Sequence, residues 1–273
     1  MTRPPSRLRT PLLASTLAIA IGACVAGTGG ESIQLTLAFQ TPEGAQSLRG
    51  FETHSGWRVS LTEARIALGA VYLNENPSLL ARVRGGLEDM LVPTAHAHPG
   101  HGHFAGGQVR GEWLGQIAFD ALSPSPAEIG GVPGIAGAVK SFTVLLDPPR
   151  SEHQAALHQA HAWVVGEARR DAVTIAFEGG LILPDDENQR VDGVALEGEL
   201  EEGARVTVWV DPTVWFDEAQ FDRLLDDEAQ CEIEGEEGRC VIAEGNQVHT
   251  AWLLGARSAA AISGTIEPPS EAS

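Results

Sequence analysis

Apolar and polar residues alternate one by one through Ile33-Gln34-Leu35-Thr36-Leu37-Ala38-Phe39, the pattern of a strand that buries one face. The same period recurs from Trp57 to Tyr72, where it predicts one long or bent strand with Val59, Leu61, Ile66, Leu68 and Val71 facing inward. The alternation slips near Glu63, as a bulge would cause. Further strands are predicted over 109–119, 139–146, 162–168, 173–177, 194–200, 206–210 and 260–266. Arg169-Arg170-Asp171 separates two of these as a hairpin-length turn, and Asp147-Pro148-Pro149 ends another, because proline cannot donate to a ladder. The Pro- and Gly-rich stretch 123–137 reads as a surface loop. Helical spacing is confined to 216–227, with Phe216, Phe221, Leu224 and Leu225 on one side, and 246–256, with Val248, His249, Trp252 and Leu253. About eight short strands with one or two short helices near the C-terminus predict an all-β fold, an antiparallel sandwich or barrel-like domain, since each half-buried strand must cover its apolar face.

One connection stands out against this frame. Between the strand ending at Tyr72 and the next at Val109 runs a long excursion with a short helical pattern at 79–84 and then His96-Ala97-His98-Pro99-Gly100-His101-Gly102-His103. Structureless connections of this length usually carry function or disorder. Pro99, Gly100 and Gly102 break both helical and strand periods, so residues 94–104 form a turn-rich, His-rich loop. In an extended H-x-H pair both rings point to one side, and a turn at Pro99-Gly100 brings His96, His98, His101 and His103 toward one ion. Neutral imidazole suits Zn, Cu, Ni or Fe, and Cu or Zn is the expectation here. A low-complexity His tract with adventitious affinity is the competing reading. His153, His158 and His161 form a second, looser group. If 152–161 is helical, His158 and His161 share a face one turn apart and add possible metal ligands, with His153 off that face; a surface helix with incidental histidines is the alternative. His54 and His249 stand alone and read as ordinary core or surface side chains. Asp185-Asp186-Glu187-Asn188 and Asp192 supply oxygen donors without EF-hand spacing.

The N-terminus changes the setting. Arg3, Arg7 and Arg9 precede an apolar run from Pro11 to Ile21 that is too short to span a bilayer, which marks 1–23 as an export signal. Its ending, Ile21-Gly22-Ala23-Cys24, resembles the lipobox of bacterial lipoproteins, departing only in Ile21 where that family prefers Leu. The resemblance implies lipidation of Cys24, which becomes the new N-terminus, and Val25 after it implies the outer membrane. Residues 24–31 then form a flexible Gly-rich tether, and 32–273 a single β-rich domain. Cys231 and Cys240 remain as an even pair around an acidic loop, and the oxidising envelope favours a disulfide between them over a two-Cys metal site.

Charge narrows the partners. The net charge of −19 becomes −22 once the three leader arginines are removed, and Lys140 is the only lysine. Such a surface repels nucleic acid and leaves the membrane to be reached through the lipid anchor. It also draws cations, although acidic surfaces commonly serve solubility alone.

Enzyme templates fit poorly. His96, His98 and His101 reproduce the histidine spacing of the H-x-H-x-D-H motif of metallo-β-lactamase-like hydrolases, but Gly100 stands where that family places its aspartate. A cupin-like H-x-H pair requires a nearby glutamate, and no acid follows His103 until Glu112. A carbonic-anhydrase-like site would draw its third histidine from His153, His158 or His161, and nothing else in the chain resembles that family. The general character of an exported β-rich chain with histidines and tryptophans is similar to MbnP-type periplasmic copper-binding proteins, which implies copper beside zinc and transfers no residue. The expectation is a non-catalytic, lipid-anchored envelope protein that captures or buffers Cu or Zn; an envelope structural or interaction module with an incidental His tract, and less strongly a metallohydrolase, remain as alternatives.

Overall fold

A computed structural model describes residues 30–45, 50–76, 108–184, 189–226, 231 and 239–269. The predicted signal, Cys24, the short helix at 79–84 and the whole His-rich loop lie outside the described residues.

The described chain builds two sheets. In order, the strands are β1 (Ser32–Gln40), β2 (Phe51–Glu52), β3 (Arg58–Leu68), β4 (Val71–Asn74), β5 (Val109–Trp113), β6 (Ile117–Asp120), β7 (Ala127–Ile135), β8 (Gly137–Leu145), β9 (Ala162–Arg170), β10 (Val173–Leu181), β11 (Arg190–Leu200), β12 (Arg205–Val210), β13 (Cys240–Val241) and β14 (Ile262–Glu267). The larger sheet runs β11-β8-β4-β5-β7-β1-β12-β14, and the smaller runs β13-β10-β9-β3-β2 with β6 also on β3. All pairings are antiparallel except β1 with β12 and β10 with β13. The larger sheet curls until β11 lies beside β14, where Gly198 and Gly264 leave room for Ile266, Phe142 and Leu196. This nearly closed barrel and its companion sheet bear out the predicted all-β fold.

Inside the barrel the inward residues are mainly aliphatic, with Phe39 on β1 and Phe142 on β8 among them. Leu35, Leu37, Val71, Leu73, Val132 and Val206, with Trp113 at the side, leave a void of only about 10 Å³, at the limit of what one water needs. Among the described residues the barrel is therefore packed at this point. The smaller sheet is covered differently, by aromatic side chains from the C-terminal third: Phe177 on β10 meets Phe216 and Phe221, and Phe216 meets Trp252.

Several predicted elements come out divided. The apolar run from Trp57 to Tyr72 becomes β3 in one sheet and β4 in the other, with the predicted irregularity falling between Leu61 and Glu63. The crossing is at Gly69, where a Cβ would overlap the Asp147 carboxylate. Residues 109–119 divide likewise into β5 and β6, one in each sheet. The stretch 123–137, predicted as a loop, contains β7. Its glycines and Pro133 are accommodated because one edge pairs fully with β1 while the other meets β5 only at Gly111–Gly134. Among the described residues, the helix predicted over 216–227 does not form. In its place stand two 3-10 turns, Pro212–Phe216, capped by the Asp211 side chain, and Phe221–Leu224. Two tight turns let Trp215, Phe216, Phe221 and Leu224 all reach the core, which one face of a straight helix does not permit. The last helix forms as α1 (Gln247–Ala256), with Asn246 as N-cap accepting from the Val248 N–H at 2.8 Å. Cys231 and Cys240 form the expected disulfide, which ties Cys231 to β13, itself paired along the β10 edge.

Candidate metal centre

The four clustered histidines, His96, His98, His101 and His103, sit in the connection between β4 and β5, and its root is described even though they are not. β4 and β5 pair antiparallel from Val71–Trp113 to Asn74–Val109, and the Glu75 N–H donates to the Gln108 carbonyl at 3.0 Å. The connection thus starts and finishes at one point of the barrel. Arg110 reinforces that point. Its side chain is largely buried, with Nη2 donating to Glu75 Oε2 at 3.0 Å and Nη1 donating to the Ala136 carbonyl at 3.3 Å. On the next strand, Ser141 Oγ donates to the Asn76 carbonyl at 2.7 Å.

Strand alternation puts Val71 and Leu73 in the core and turns Tyr72 outward, opposite Glu112 on β5 and Thr143 on β8. Thr143 donates to Asp192 Oδ1 at 3.0 Å, and Arg190 donates to the same oxygen at 3.0 Å. The phenol of Tyr72, the only tyrosine in the chain, is pushed above its ordinary pKa by burial first, then by the carboxylates of Glu112 and Asp147, with Arg190 opposing them. Sequence reading missed this polar face, although the outward position of Tyr72 between two core residues is a signal that alternation carries.

The second histidine group does not form the predicted helix. Residues 151–159 run as successive turns, and His158 and Gln159 both take positive φ, 50° and 65°, which no continuous helix tolerates. His158 stacks on Trp163 with ring centroids 4.0 Å apart. His161 is buried, its Nδ1 accepting from the Leu183 N–H at 3.2 Å. That bond puts the ring proton on Nε2, and burial lowers the pKa, keeping the ring neutral. His153 Nε2 lies 3.1 Å from the Gln116 carbonyl, to which it donates as the Nε2–H tautomer. His158 and His161 are therefore engaged separately, one on an indole and one in the core. Among the described residues, no three His, Cys, Asp or Glu side chains gather in a metal-holding group.

The solitary histidines are placed as ordinary side chains. His54 is exposed, its Nδ1 2.7 Å from Glu218 Oε1, and its pKa is raised chiefly by that hydrogen bond. His249 is buried in α1 with its pKa lowered by burial. Asp192 is held by Arg190 and Thr143, while residues 185–188 lie outside the described residues.

The chain matches no family model, no curated protein and no solved structure.

Proposed function

We propose that the protein is a lipid-anchored protein of the cell envelope, attached to the outer membrane through Cys24, that captures or buffers a Cu or Zn ion with His96, His98, His101 and His103 and does not itself catalyse a reaction. The observation that carries this reading is the concentration of four imidazoles within eight residues, on a connection whose two ends are joined at the base by the β4–β5 ladder. Closing the base lowers the entropy lost when the histidines gather on an ion, because the loop ends are already together. The acidic surface raises the local concentration of cations, and nucleic acid is disfavoured by the same field. His158 and His161 are left out of the ligand set, since their rings have partners in the fold.

Titration of Zn(II) and Cu(II) into the mature chain tests the reading. One ion binds tightly per chain, and His98→Ala with His101→Ala abolishes it. A tract without a defined site instead loses affinity gradually as histidines are removed, which is the outcome expected of an envelope interaction module.

A further inference from the structure

The root of the His-bearing connection and the point where the N-terminal tether joins the barrel are the same end of the molecule. The Ala136 N–H donates to the Glu31 carbonyl at 2.8 Å, and the Ala136 carbonyl accepts from Arg110, which also holds Glu75. Glu31 precedes β1, and Glu75 and Gln108 bound the connection on either side. The turn between β11 and β12 closes this end as well: Leu200 pairs with Gly137, the Gly203 N–H donates to the Gln34 carbonyl at 2.8 Å, and Glu202 accepts from the Gln34 N–H at 2.9 Å. At the opposite end, Gln40 pairs with Trp209, Phe39 pairs with Ala127, and Ser125 lies two residues beyond.

We propose that this tethered end faces the lipid surface, so that the connection carrying the histidines is rooted on the membrane side of the domain. The inference rests on the reading of Cys24 as the lipid anchor. Its warrant is length. From Cys24 to Glu31 the chain spans at most about 25 Å fully stretched, and a Gly-rich tether of this length averages roughly 15 Å end to end. β1 is roughly 26 Å long at about 3.3 Å per residue, and the tilt of barrel strands leaves roughly 20 Å of that between the two ends. Bringing the far end to the lipid would lift Glu31 by that distance and draw the tether out well beyond its average length, so the tethered end remains the nearer. This end carries exposed Glu31, Glu201, Glu202 and Glu267, and such charges stay hydrated, so it lies against the membrane without entering it.

The test is energy transfer from a dye on a single introduced cysteine to acceptor-labelled lipid in phosphatidylcholine vesicles, with the full lipidated protein. Glu201→Cys marks the tethered end and Ser125→Cys the far end; both sites are exposed, and Cys231 and Cys240 are bonded to each other. The proposal expects transfer at least twofold stronger from the Glu201→Cys label. Equal or reversed efficiencies overturn the orientation while leaving the anchor intact. Flotation of the same samples separates the two claims: protein that fails to float with vesicles, or floats equally as Cys24→Ala, overturns the anchor and the orientation with it.

Discussion

The barrel and the smaller sheet bury their faces with different material. Around the barrel, the inward residues, mainly Leu and Val with Phe39 and Phe142, are contributed by the strands themselves, and those on β1, β4, β7 and β12 surround a void of only about 10 Å³. Over the smaller sheet, β10 supplies Phe177 and the turn before β3 supplies Trp57, but the covering rings Trp215, Phe216, Phe221 and Trp252 arrive from two 3-10 turns and α1. The difference is one of range. A barrel strand satisfies its pattern with neighbours in its own sheet, whereas the aromatic layer exists only once the C-terminal third has docked, so it couples the last elements to β3 and β10.

Removing one ring from that layer has the largest expected effect. Trp252→Ala takes away the contacts to Trp215 at 6.4 Å and Phe216 at 5.6 Å, and is expected to cost about 3–5 kcal/mol in urea unfolding. A loss under about 1 kcal/mol would mean that the aromatic layer is dispensable and that the barrel alone carries stability.

Next comes the covalent fastening of the same region. Cys231→Ser with Cys240→Ser opens a loop closed over a sequence separation of 9, and is expected to cost about 2–3 kcal/mol by freeing the unfolded chain. Unchanged unfolding midpoints in the reduced and oxidised proteins would show that β13 is held by β10 alone.

A smaller effect separates histidines used by the fold from histidines available to a ligand. The His161 pKa is lowered in the folded state by burial, so its contribution to stability is present above the ordinary value near 6.5 and is lost as the pH falls through the lower folded value. Protonation also places a hydrogen on Nδ1, which faces the Leu183 N–H. His161→Leu is expected to cost about 1–3 kcal/mol at pH 8, because that N–H loses its acceptor, and to flatten the stability lost as the pH falls below about 6.5. A variant with the wild-type acid slope would assign that slope to His249 or to the carboxylates.

What could be read from sequence follows the same division of range. β1, β9, β10, β12, β14 and α1 were legible because period and capping are local: Ile33 to Phe39 alternates without a break, and Asn246 stands directly before an apolar helical face. The crossings at Gly69–Ala70 and at 114–116 were not, because a strand that changes sheets keeps its apolar alternation, and only a contact distant in sequence, Asp147 against Gly69, reveals the change. β7 was hidden by composition, since glycine and proline signal a loop unless β1 is known to pair beside them. The disulfide was legible from cysteine count and expected compartment. For the candidate site, the histidine density could be read directly, while the rooting of its connection at the tethered end required the Arg110 bridge between Glu75 and Ala136.

The most direct test of the metal reading is its pH dependence. Imidazole binds metal when neutral and ordinarily titrates near 6.5, so a site of three or four histidines must displace that many protons as acidity rises. Titrating Cu(II) or Zn(II) binding to the mature chain from about pH 8 to 5, with a deletion of residues 95–104 as control, should show affinity collapsing below about pH 6 and no tight site in the deletion. Binding that survives at pH 5, or that the deletion leaves unchanged, would contradict the assignment of the ion to His96, His98, His101 and His103.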